Sequence, residues 1–230
     1  MSITPDTIVF WQLGPFALNA TIVFTWLVMA ILTLAAWLLT RRLSASTELS
    51  RWQNLLEVIV TGINEQIAQV SRQAPGRYLP FVGTLFIFIA ASNLLNIVPG
   101  YTAPTASLST TTALAICAFA AVPIFGIAAE GPLAYLRRYV RPTWLMLPFN
   151  VIGEVSRTVA LAVRLYGNMM SGTVIVALLV SLTPYLFPVV MQLLGLLTGM
   201  IQAYIFAVLA MVYIASATSA QRFEGDDAGA

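Results

Sequence analysis

The stretch WLMLPFNVIGEVSRTVALAVRLYGNMMSGTVIVALLVSL, residues 144–182, decides the fold. Read as one helix at 1.5 Å per residue, it is on the order of 55 Å long. The hydrocarbon core of a bilayer is only about 30 Å thick. The next run, VVMQLLGLLTGMIQAYIFAVLAMVYIASATS at residues 189–219, gives roughly 45 Å by the same arithmetic. Neither fits as an upright span. Pro184 and Pro188 bracket the turn between them. The expected arrangement is a hairpin of two long, strongly tilted membrane helices.

The rest of the composition agrees with a membrane protein. Of 230 residues, 59% are hydrophobic and only 9% are charged. A soluble domain carries about a quarter charged residues, and disorder requires low hydrophobicity and high charge. The chain has no His and one Cys, Cys117, in an apolar run. That excludes an internal disulfide, the usual His/Cys zinc sites and any Ser-His or Cys-His nucleophile. Cys117 reads as a packing residue. The net charge is +2, and no basic stripe with interleaved aromatics supports nucleic-acid binding. No metal site, cofactor site or phosphate cradle is visible.

Working outward, residues 1–15 form an outer N-terminus and residues 16–40 a first span without a charge. Arg41 and Arg42 follow it and favour the cytoplasm. Residues 50–71 carry Trp52, Leu55, Leu56, Ile59, Ile63, Ile67 and Val70 at helical spacing, with Gln53, Asn54, Glu57, Asn64, Glu65 and Gln69 on the other face. That pattern reads as an amphipathic helix on the cytoplasmic surface. Further spans are expected over 78–98 and 110–129, and Arg137, Arg138 and Arg141 bring the chain back to the cytoplasm. Residues 220–230 are a short polar cytoplasmic tail. The expected fold is an all-α polytopic membrane protein in a single domain, with about five membrane helices plus the surface helix.

The chemistry sits in the first long helix. Charges at membrane depth cost about 2.5–3.5 kcal/mol each on insertion scales, so they face a partner, a cavity or an ion path. At 100° per residue, Asn150, Glu154, Arg157, Arg164, Asn168 and Ser171 share one face about 100° wide. On the final helix, Gln192, Gly195, Gly199, Gln202 and Tyr213 fall within about 80° of each other. Two polar stripes on adjacent helices imply a polar interface at membrane depth. Glu154 and Arg157 are close enough to pair, and Arg157 can snorkel toward headgroups. Arg164 lies about 15 Å beyond Glu154 along the axis, and no acid of this chain is an obvious partner. Its missing carboxylate is best supplied by another subunit. Gly195 and Gly199 form a G-x-x-x-G, the usual mark of close helix packing.

Four motifs carry a family resemblance. Leu161-Ala-Val-Arg-Leu-Tyr-Gly-Asn168 closely resembles the S-L-x-x-R-L-[FY]-G-N-M signature of subunit a of rotary F-type ATP synthases. Ile152-Gly-Glu-Val-Ser-Arg157 looks like its I-x-E-x-S-[RK] segment. Asn93-Leu-Leu-Asn-Ile-Val-Pro-Gly100 looks like its N-L-L-G-x-x-P-G. Ile201-Gln-Ala-Tyr-Ile-Phe206, followed by Tyr213, looks like its final-helix L-Q-A-[FY]-[IV]-F…Y. The four stand in family order.

The resemblance implies an ion-translocating stator subunit without a catalytic site of its own. Its partners would be c-ring subunits, peripheral-stalk b subunits and the whole ATP synthase, in a bacterial inner membrane. Arg164 would face the c-ring carboxylates, between two half-channels. Gln202 would sit near Arg164 and orient it. Asn168 would lie by the ring-facing path, Glu154 near the cytoplasmic half-channel, and Tyr213 on the last helix. Arg157 would be structural or electrostatic.

The departures fall on the outer half-channel. Thr173, Gly195 and Ser107 stand where many family members carry an acid or His. The outer path would use Asn93, Asn96, Ser107, Thr110, Thr173 and Gln192 instead. Hydroxyls and amides hold water and coordinate a hard cation but relay protons poorly. This resembles the alternate, N-type bacterial branch. H⁺ is the family expectation and Na⁺ the alternative. A stand-alone transporter or channel is the competing class, but it needs internal repeats or broken helices, and none is seen.

Overall fold

The computed structural model describes residues 9–13, 16–41, 51–71, 75–98, 100–133, 135, 146–182 and 186–218. Arg42, Arg137, Arg138, Arg141, the helix start at Trp144 and the 220–230 tail lie outside the described residues, as do residues 1–8 and 14–15 of the expected N-terminal segment.

An antiparallel hairpin opens the chain, with β1 at Val9–Leu13 paired to β2 at Phe16–Asn19 and a bulge between Val9 and Trp11. The first span therefore begins later than expected: α1 is Ala20–Thr40. Val, Phe and Trp favour strands, and pairing with β1 takes the four residues expected to open the span. Apart from this hairpin, all regular structure among the described residues is helical: α2 is Arg51–Ser71, α3 Leu79–Leu94, α4 Leu108–Glu130, α5 Met146–Leu182 and α6 Leu186–Thr218. Five of these, all but α2, are long and apolar enough to cross a membrane. The chain is a multi-pass, all-α membrane protein.

Local chemistry sets the helix ends. Pro148 lies in the first turn of α5 and Pro188 in the first turn of α6. The first N–H groups of a helix have no internal partner, so proline is tolerated there. For that reason α6 starts before Pro188, three residues earlier than the expected 189. The Ser107 hydroxyl caps α4 by accepting from the Ser109 N–H at 3.3 Å, which starts that helix before Thr110. Gly131 closes α4 at φ +84°, and its N–H reaches Ile127 O at 2.8 Å. Only glycine adopts that backbone without steric cost.

The core gathers around α6. Ala203, Ala207 and Ala210 let α3 and α4 approach closely, and Phe206, Met211 and Ile214 fill the space beside them. α5 contributes Leu161, Ala162 and Leu165. α2 lays Ile63 and Ile67 against the same core and leaves Asn54, Glu57, Glu65 and Gln69 exposed. Outward positions such as Trp26, Leu34, Val159, Leu178 and Leu193 are exposed and apolar, as lipid-facing helices require. Cys117 is exposed rather than packed, because Ala115 and Ala118 hold the inner face of α4.

Candidate functional site

Arg164 owes its position to its neighbours on α5. Leu161, Ala162 and Leu165 are buried against Leu85, Ala115 and Phe206. With that face turned inward, Arg164 is left exposed. It forms no hydrogen bond or ion pair with the described residues. An unpaired guanidinium in an apolar helix is costly, so Arg164 calls for a partner outside the described residues.

One turn further, Asn168 Nδ2 donates to Gln202 Oε1 on α6 at 2.7 Å. Gln202 is only 1% exposed, and its Nε2 has no partner. Gln202, expected near Arg164, bonds the residue one turn beyond it on the same helix. The hydrogen bond of Gln202 goes to Asn168, because Gln202 is buried while Arg164 projects outward.

A cavity of about 340 Å³ opens beside this pair, between α5, α6 and the 96–106 segment. Its polar lining includes Asn96, Tyr101, Thr102, Asn168, Thr173 and Gln192. None of its described lining residues is an acid or Arg. Gln192 Nε2 donates to Asn96 O at 3.1 Å across it. The Thr173 hydroxyl donates back to Met170 O on its own helix at 2.9 Å. Of the six outer-path candidates, Asn96, Thr173 and Gln192 therefore come together with Asn168.

The other three do not line this cavity. Asn93 is buried behind it, where its Nδ2 donates to Gly199 O at 2.8 Å and its Oδ1 accepts from Thr105 at 3.0 Å. Ser107 is buried at the α4 cap, with its hydroxyl 2.7 Å from that of Ser109. Thr110 is half-buried in the first turn of α4. Helix capping and inter-helix bonding account for Ser107 and Asn93.

The two glycines differ. A Cβ on Gly199 would lie 3.0 Å from Asn93 Nδ2, which is the close approach expected of G-x-x-x-G. A Cβ on Gly195 would meet no described atom within 4 Å. Packing does not explain Gly195, because it borders the cavity rather than another helix.

Toward the other end of α5, a second cavity of about 310 Å³ is bordered by Asn150, Glu154, Arg157 and Ser216. A smaller space joins Glu154 and Arg157 to Tyr213. The Arg157 guanidinium lies over the Tyr213 ring, 5.7 Å from its centre, at the edge of cation–π range. Arg164 is thus bracketed along α5 by two polar cavities. It lies seven residues past Arg157 and four before Asn168, or about 10 Å and about 6 Å along the axis.

Reading by residue type missed Ser92, Tyr101, Thr102 and Thr105, which are hydroxyls on short apolar or loop segments. The only sequence signal is their crowding around Pro99-Gly100 and Pro104, in a loop between two spans.

Comparison with known proteins matches these motifs to one family. The ATP synthase A chain family matches residues 22–215. "ATP synthase subunit a 2" of Acaryochloris marina is 62% identical over 218 residues, covering 95% of this chain and 93% of that protein. "ATP synthase subunit a" of Albidiferax ferrireducens is 57% identical over 222 residues, 96% of each chain. "ATP synthase subunit a 1" of Chlorobaculum parvum is 57% identical over 218 residues, covering 95% of this chain and 96% of that protein. The protein belongs to the ATP synthase subunit a family, the membrane-embedded subunit of the F-type ATP synthase.

Proposed function

We propose that this chain is the ion-translocating stator of its complex, with Arg164 as the barrier between two half-channels. The observation that carries this reading is the placement of Arg164, exposed and unpaired among the described residues, between two polar cavities on the same helix. The outer half-channel runs through the Asn168 cavity. The cytoplasmic one runs through the cavity bordered by Glu154 and Arg157. The exposed face of α5 meets a c ring, and peripheral-stalk b subunits hold the stator still. The Arg clusters that follow the spans support an outer N-terminus and a cytoplasmic C-terminus, and the family reading carries with it a bacterial inner membrane.

The mechanism follows from charge. A ring carboxylate that reaches Arg164 is stabilised as an anion and gives up its ion. The fixed positive charge repels a cation that tries to pass straight between the half-channels, so ions travel around with the ring. Each elementary charge that crosses 100 mV releases about 2.3 kcal/mol. The ring accumulates several such steps per ATP, whose chemistry takes place on other subunits.

H⁺ is the primary reading. One observation favours Na⁺ as the second: the outer cavity offers amides and hydroxyls but no acid or Arg among its described lining residues, and oxygen ligands suit a hard cation. The test uses vesicles that contain the assembled complex. H⁺ and Na⁺ movement are followed separately under ATP, in wild type and Arg164→Ala. Loss of pumping in an assembled Arg164→Ala complex is expected, and the wild-type trace names the ion. Unchanged pumping in the variant would overturn the reading.

A further inference from the structure

Among the described residues, Ser92 Oγ, Tyr101 Oη and Thr102 Oγ1, at and after the end of α3, are buried, and apart from the approach of the Ser92 and Tyr101 hydroxyls to each other none has a hydrogen-bond partner. A buried polar atom left unpaired costs about 1–3 kcal/mol. Native proteins satisfy such groups with ordered water or an ion. Ser92 is fully buried in the last turn of α3. It directly precedes Asn93, whose amide is held by Gly199 and Thr105. The Tyr101 ring is fixed edge-on against Phe24 of α1, with centres 5.0 Å apart and planes at 67°. Its hydroxyl is turned inward beside Ser92. Tyr101 and Thr102 also border the cavity that holds Asn168.

Burial pushes the Tyr101 phenol up to about 12, with the Ser92 hydroxyl acting the other way. The phenol therefore stays neutral at physiological pH, as one donor and one acceptor. Tyr101 and Thr102 thus bring two neutral oxygens to the lining of the cavity, with the buried Ser92 hydroxyl beside Tyr101.

We propose that Tyr101, set in place by Phe24 and joined by Ser92 and Thr102, forms a neutral oxygen station through which the ion passes between the outer surface and Asn168. This rests on the reading of the cavity as the outer half-channel. A Na⁺ ion there exchanges part of its water for hydroxyl oxygens. For H⁺, the phenol oxygen accepts a proton from an outer hydronium, which is left as water, while its own hydrogen passes to a water on the cavity side, which becomes hydronium, and the new O–H then rotates back. The ring then ends as it began.

The test uses inverted vesicles that contain the assembled complex, with the membrane potential collapsed. Na⁺ or H⁺ is loaded inside at graded concentrations, and its inhibition of ATP-driven pumping is measured. The loaded ion opposes pumping by reoccupying the outer path. Tyr101→Phe keeps the ring on Phe24 and removes only the oxygen. The half-inhibiting concentration is expected to rise several-fold, and the ion for which it rises distinguishes Na⁺ from H⁺. Ser92→Ala is expected to shift it in the same direction and serves if Tyr101→Phe does not assemble. A slower rate with unmoved half-inhibition would assign these hydroxyls to structure and overturn the proposal. Arg164→Ala runs beside them: pumping retained there would sink the half-channel reading itself, while pumping lost there with unmoved half-inhibition in Tyr101→Phe would sink only the station.

Discussion

Asn168 and Gln202 join the two long helices through a 2.7 Å hydrogen bond one turn beyond Arg164. This bond leaves Gln202 Nε2 buried and unpartnered, so the amide is pinned at one end and available at the other. Polar bonds of this kind between membrane helices are worth about 0.6 kcal/mol on average and at most about 1.7. A double-mutant cycle of Gln202→Leu and Asn168→Leu, followed by thermal stability of the assembled complex, is expected to show a coupling of that size. Additive effects would mean that the bond contributes nothing.

Gly199 and Gly195 are expected to respond differently to the same change. Gly199→Ala places a methyl 3.0 Å from Asn93 Nδ2 and 3.1 Å from its Cβ and Cγ. The Asn93 side chain must move, and its bonds to Gly199 and Thr105 loosen. Overpacking of this kind costs about 1–3 kcal/mol. Gly195→Ala meets no described atom within 4 Å and is expected to leave stability unchanged. Melting temperatures of the two complexes check this, and equal values would contradict it.

The Arg157–Tyr213 contact is an aromatic one, 5.7 Å from guanidinium carbon to ring centre. Tyr213→Phe keeps the ring face and is expected to be near neutral, whereas Tyr213→Leu loses about 0.5–1 kcal/mol. The same ordering is expected with Arg157 present and a flattened one in Arg157→Ala. Thermal unfolding of the six proteins decides. A loss in Tyr213→Phe as large as in Tyr213→Leu would assign the effect to the hydroxyl instead.

Tyr101 gives the complex an alkaline limit. Its phenol is raised from 10.0 to about 12, chiefly by burial. A group raised in the folded state stabilises fully below its unfolded value, and that contribution is lost as pH rises through the folded one. Stability is therefore expected to fall between about pH 10 and pH 12, and Tyr101→Phe is expected to flatten that limb. Thermal melts across this range test it, and an unchanged slope in the variant would place the alkaline loss elsewhere.

How much of this was legible in the sequence depends on the kind of signal. The long helices were readable because an apolar run of such length has few alternatives once water is excluded. Arg164 was readable because a lone charge in such a run is expensive whatever its surroundings. The 3.6-residue period also put Asn168 on its face. The hairpin at residues 9–19 was not readable as separate from the first span, since Phe16–Asn19 is as uncharged as the helix it precedes. Nor was the difference between Gly195 and Gly199, because a G-x-x-x-G gives spacing but not which glycine meets a side chain from a third helix.

The sequence by itself determined the class of the protein, the number of its apolar helices and the presence of Arg164, a charge without an obvious acid partner, deep in the longest of them. Each of these follows from composition and period along one segment. Only the tertiary structure decided which polar residues meet. Asn93 turned to Gly199 and Thr105 rather than to the cavity. Gln202 turned to Asn168 rather than to Arg164, and Tyr101 was wedged against Phe24 from 77 residues earlier in the chain. These are contacts between helices far apart in sequence. They depend on which small residues let two backbones approach, and no local pattern carries that information.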